Sequence, residues 1–85
     1  ADAFVIAPGG IGTFDEFFQI LTLVGLGRQS APIAIYNIDG YYDDMILFLK
    51  ECTEKGFIRE RALTLFRVCS TAEETVDAIE EMIEQ

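Results

Sequence analysis

Ala3-Phe4-Val5-Ile6-Ala7-Pro8-Gly9-Gly10-Ile11-Gly12-Thr13-Phe14-Asp15-Glu16 reads as an apolar strand, a glycine-rich break and the start of a helix. The run from Ala3 to Ala7 is apolar at every position, as strands buried on both faces of a parallel sheet are. Pro8-Gly9-Gly10 ends it. A helical pattern then runs from about Thr13 to Gly27, with Phe14, Phe17, Phe18 and Leu21 as its apolar stripe and Gly25, Gly27 and Arg28 at its end.

The same plan returns twice downstream. Pro32 to Asn37 is a strand candidate, Asp39-Gly40 a turn, and about Tyr42 to Lys55 a helix with Met45, Phe48, Leu49 and Cys52 on one side. Gly56 is its stop signal. After a link from Phe57 to Ala62, Leu63 to Cys69 holds a third strand. A last helix runs from about Ala72 to Glu84, with Ala72, Val76, Ile79 and Ile83 as an inward stripe and acids on its other face. Strands alternating with helices of this length predict an α/β fold with a parallel sheet. Three such strands make half of a doubly wound, Rossmann-like three-layer sheet, β-α-β-α-β-α. Residues 1–85 are therefore expected to form one partial nucleotide-binding domain, the C-terminal half, with the other half upstream of Ala1.

Composition narrows the function. The chain has 85 residues, 51% of them hydrophobic, too apolar for a disordered segment. Fifteen acids against six bases give a net charge of -9, which argues against nucleic acid and anionic membranes as partners. There is no His, so neither a Ser-His pair nor a His-ligated metal site can form within the chain. No metal and no cofactor are expected. Cys52 and Cys69 read as small buried hydrophobes in a reduced, cytoplasmic compartment.

The glycine loop carries the chemistry. It lies at the carboxyl end of its strand, where open α/β sheets bind ligands. Glycines admit positive φ and close approach of a ligand. The N–H groups and dipole of the helix start suit a phosphate. A Walker loop is excluded, because Ile11-Gly12 precede Thr13 where a Lys is required; the dinucleotide fingerprint lacks its third Gly. Thr13-x-x-Glu16 is also the pattern of a capping box, as is Thr71-x-x-Glu74. Only Thr13 follows three glycines in four positions.

Pro8-Gly9-Gly10-Ile11-Gly12-Thr13-x-x-Glu16 resembles the signature of the "lonely guy" proteins, phosphoribohydrolases of cytokinin nucleoside 5′-monophosphates that are often labelled lysine decarboxylases. Ala1-Asp2-Ala3-Phe4-Val5, Asn37-x-Asp39-Gly40-Tyr41-Tyr42 and Glu54-x-Gly56-Phe57-Ile58 are similar to other segments of that family. The resemblance implies a Rossmann-like fold, a homodimer or higher oligomer, and hydrolysis of the N-glycosidic bond of a purine or cytokinin nucleotide. It implies that Gly9, Gly10, Gly12 and Thr13 hold the 5′-phosphate and that Glu16 is the catalytic carboxylate, acting on the positive charge that develops on the ribose. The family's Arg, expected to partner Glu16, belongs to a motif upstream of the glycine loop; here no basic residue precedes Arg28. This predicts little activity for the 85 residues alone.

The other readings are a non-catalytic carrier of a nucleotide or of molybdenum cofactor, whose carriers use a similar glycine loop, and an association module with a structural loop. Asp39-Gly40 is read as a turn and Tyr41 and Tyr42 as rim packing, with a base pocket as their other reading. Ile20, Leu23 and Val24 widen the apolar arc of the first helix beyond its core stripe and predict a dimer interface there.

Overall fold

The computed structural model describes residues 3–84. Three parallel strands, β1 (Phe4–Ile6), β2 (Ile33–Tyr36) and β3 (Phe66–Cys69), pair in the order β1-β2-β3. Ile6 lies opposite Ile35, and Tyr36 opposite Cys69, so all three strands end at one edge of the sheet. Each is followed by a helix: α1 (Ile11–Gly25), α2 (Asp43–Glu54) and α3 (Ala72–Glu84).

Side-chain alternation sorts these helices onto the two faces. Ile6, Ile33, Ile35 and Phe66 point one way, into a cluster with Phe17 and Ile20 of α1 and Leu49 of α2. The Phe17 ring meets Phe66 edge-on at 5.4 Å. Ala34, Arg67 and Cys69 point the other way, where α3 packs over β2 and β3. Arg67 pairs there with Glu81 of α3. The sheet is thus layered between helices, as its parallel strands require. β1 is the exception on the α3 side, for Val5 is 53% exposed.

The glycine stops act as read. α1 closes with Gly27 at φ 73°, its N–H bonded to Val24 O and that of Arg28 to Leu23 O. α2 closes in the same way, with Gly56 at φ 84°, bonded to Thr53 O, and Phe57 to Cys52 O. These are paired C-terminal bonds that satisfy carbonyls the helix leaves free.

Several expectations need correction. α1 begins at Ile11, two residues early, because Gly10 O already accepts from Phe14 N–H. Its buried residues are Phe17 and Ile20, whereas Phe18 is exposed; Ile20 belongs to the core and not to an interface. On α2, Phe48 points to solvent and Leu49 inward. The inward stripe of α3 is rotated by about one residue: Thr75 and Ala78 are buried, while Val76 and Ile83 are exposed. Small side chains bring α3 close to the sheet, a choice that hydrophobicity alone does not signal. Leu63-Thr64 lie in a 3-10 turn (Glu60–Thr64), so β3 starts only at Phe66. A short apolar run has no period that separates strand from turn.

Candidate functional site

β1 leads into the glycine loop and β2 into the segment Asn37–Tyr42, and the shared strand direction sets these loops side by side. Two tyrosines join them. The Tyr41 hydroxyl donates to Gly9 O and the Tyr42 hydroxyl to Ala7 O, each at 2.5 Å. Tyr42 is buried, with its ring edge-on to Phe14 of α1 and to Tyr41. Burial first, and the neighbouring Tyr41 second, raise the Tyr42 pKa above its ordinary value, keeping the hydroxyl a donor.

The second loop is itself tightly held. Asn37 is buried; its Oδ1 accepts from Tyr42 N–H at 2.6 Å and its Nδ2 donates to Asp43 Oδ1 at 2.7 Å. Asp39 and Gly40 both take positive φ, 49° and 71°, which confirms the turn. Asp tolerates this conformation better than most residues, and Gly adopts it freely. The tyrosines are thus more than rim packing, a role the sequence did not disclose. A turn signal followed by two aromatics marks the loop, but nothing in it names the carbonyls they reach.

The glycine loop differs from expectation in one respect. Neither Gly9, Gly10 nor Gly12 has positive φ; the three glycines that do are Gly27, Gly40 and Gly56. Gly9 is required by space, because a Cβ there would collide with the Thr13 side chain. At Gly10 and Gly12 a Cβ would meet nothing within 4 Å. Packing within the chain therefore does not demand glycine at either position.

The structure also separates the two Thr-x-x-Glu patterns. Thr71 Oγ1 accepts from Glu74 N–H at 3.1 Å, and Glu74 Oε2 accepts from Ser70 N–H at 3.0 Å. That is a cap. Thr13 and Glu16 lie inside α1, past its Gly10 cap, and no side chain caps this helix. Four residues give the first backbone N–H groups of α1 and its cap: Gly10, Ile11, Gly12 and Thr13. Among the described residues these groups have no hydrogen-bond partner, as expected of an uncapped helix start. Glu16 is exposed, one turn beyond Thr13 on the same side of the helix. The predicted residues thus share one place: an open cluster of N–H donors at the positive end of a helix, a hydroxyl, and a carboxylate.

Other features lie elsewhere. A groove of about 610 Å³ runs between the C-terminal part of α1 and the segment after α2, past Phe18, Leu26, Phe57 and Arg61. None of its lining residues lies in the glycine loop. Among the described residues no three His, Cys, Asp or Glu side chains gather as a metal site, and no helix is long and apolar enough to cross a membrane.

Comparison with known proteins agrees with the motif. Residues 1–79 match the family model described as "Possible lysine decarboxylase". The chain is 37% identical over 81 residues to a cytokinin riboside 5′-monophosphate phosphoribohydrolase of Arabidopsis thaliana, covering 95% of this chain and 38% of that protein. It is 37% identical over 83 residues to one of Oryza sativa subsp. japonica, covering 98% and 34%. A "Probable cytokinin riboside 5′-monophosphate phosphoribohydrolase" of Arabidopsis thaliana is 38% identical over 85 residues, covering 100% and 42%. The chain spans between about a third and about two fifths of the length of these relatives. Matched over nearly its whole length by the model and by these relatives alike, the chain belongs to the lysine decarboxylase-like family that includes the cytokinin riboside 5′-monophosphate phosphoribohydrolases.

Proposed function

We propose that this chain supplies the phosphate and ribose end of a nucleoside 5′-monophosphate phosphoribohydrolase. The substrate class is a purine or cytokinin nucleotide. Water adds to the anomeric carbon, the bond to the base nitrogen breaks, the base leaves with a proton, and ribose 5-phosphate is formed. The observation that carries the reading is the unpartnered N–H cluster from Gly10 to Thr13, with Glu16 one turn further and not engaged as a cap. The names of the relatives support the cytokinin nucleotide within that class.

The assignment is physically consistent. The 5′-phosphate sits on the N–H groups and the Thr13 hydroxyl, and Gly10 and Gly12 let it approach the backbone. Glu16 stabilises the oxocarbenium-like charge or orients the attacking water. The protein works as a dimer, with the exposed side of α1 as the contact. Its compartment is the reducing cytoplasm, in keeping with two free thiols.

The test uses the full-length protein with AMP and N6-modified AMP. Base release marks the hydrolase, binding without release marks a carrier, and neither marks an association module. Glu16→Gln removes the charge and little else, so it should fold normally and release base more slowly by at least about a hundredfold. Normal turnover by a folded Gln variant removes Glu16 from the mechanism.

A further inference from the structure

We infer that Tyr41 is the positioning residue of the phosphate site: its hydroxyl fixes the Gly9–Gly10 peptide so that Gly10 N–H is presented to the ligand. The inference rests on the phosphate reading of the glycine loop.

The described peptide bonds include no cis bond, so Gly9 C=O and Gly10 N–H point in opposite directions. The Tyr41 hydroxyl holds the carbonyl at 2.5 Å, which turns the N–H away from the second loop. A glycine on each side leaves this peptide free to rotate unless something holds it. Tyr41 is that restraint, and its own ring is set by edge-on contact with the buried Tyr42 at 4.9 Å.

The threonines show which hydroxyl stands open beside that N–H. Thr22, Thr53 and Thr75 each lie in a helix and donate to the carbonyl four residues back, at 2.7, 3.0 and 2.8 Å. For Thr13 that carbonyl is Gly9 O, the one Tyr41 occupies. Among the described residues the Thr13 hydroxyl makes no hydrogen bond. Gly9 lies before the Gly10 cap, outside the helix, so Thr13 lacks the helical carbonyl that the other three use and its hydroxyl is left open to a ligand.

Tyr42 supplies the contrast. Its hydroxyl holds Ala7 O, but the next residue is Pro8, so this peptide has no N–H to present. Tyr42 should matter for stability and Tyr41 for phosphate affinity. Tyr41 is 52% exposed, so Tyr41→Phe keeps the ring and is tolerated by the fold.

The experiment compares wild type, Tyr41→Phe and Tyr42→Phe in the full-length protein, measuring kcat and KM for AMP, Kd for AMP and for adenosine, and Tm. Tyr41→Phe should raise KM and Kd for AMP about tenfold, the worth of one ordered donor set. kcat should stay within about twofold, and Tm and adenosine affinity should not move. Tyr42→Phe should lower Tm and leave KM nearly unchanged. An unchanged Kd for AMP in Tyr41→Phe overturns the role of Tyr41 while leaving the phosphate site standing. A loss of kcat and Tm with no change in KM shows a merely structural role and also overturns it. Equal affinity of the wild type for AMP and adenosine overturns the phosphate reading itself, and this inference with it.

Discussion

Thr13 and Thr71 open the same four-residue pattern, and only one of them caps a helix. Thr71 receives Glu74 N–H, and its loss should cost about 1 kcal/mol, the usual effect of deleting a Thr cap. Thr71→Ala should therefore lower stability to urea by that amount. Thr13→Val removes a hydroxyl with no partner in the described chain and should change stability by less than about 0.5 kcal/mol, while weakening AMP binding. Equal destabilisation by the two variants contradicts the distinction. Two other residues set the response to alkali. Burial raises the pKa of Tyr42 and of Cys69, from ordinary values of 10.0 and 9.0. A group whose pKa is higher folded than unfolded gives its full stability below the unfolded value and loses it as pH rises through the folded one. Urea midpoints measured from about pH 8 to pH 11 should fall above about pH 9, and Tyr42→Phe should flatten the upper part of that fall.

At the level of elements, the helix ends and the central strand are legible from local signals. Gly27 and Gly56 announce helix ends because positive φ is needed there, and both adopt it. The apolar run at Ile33 to Tyr36 has no alternation, as befits a central strand covered on both faces. Helix faces were read less well, since several apolar residues compete for the inward position. On α1, Phe17 and Ile20 prevail over Phe18; on α3, Thr75 and Ala78 prevail over Val76 and Ile83. The candidate site was legible as a list of residues, from Gly9 to Glu16. Its architecture was not, because the bonds that shape it come from residues 32 and 35 positions downstream. No spacing rule within a single loop contains such partners.

Across the whole molecule, charge and apolar surface are distributed unevenly. Ile11 and Phe18 of α1 and Leu26 just after it are exposed, and Phe18 and Leu26 line the groove together with Phe57. If the proposed dimer uses this surface, Phe18→Glu with Leu26→Glu should shift sedimentation of the full-length protein from dimer to monomer without unfolding it. Both side chains are exposed, whereas a charge at Ile20 would enter the core. A wild-type protein that sediments as a monomer at high micromolar concentration removes the dimer.

The hydroxyls of Tyr41 and Tyr42 have a consequence for how far the glycine loop can travel. Transplanted alone into another strand–helix connection, Pro8 to Thr13 would bring its glycines but leave behind the donors that hold Ala7 O and Gly9 O. The smallest portable unit is larger: β1, its loop, α1, β2 and the loop from Asn37 to Asp43, whose side chains set the tyrosines in place. A short motif match elsewhere therefore signals this loop shape only when a second strand, with a hydroxyl-bearing loop after it, lies alongside.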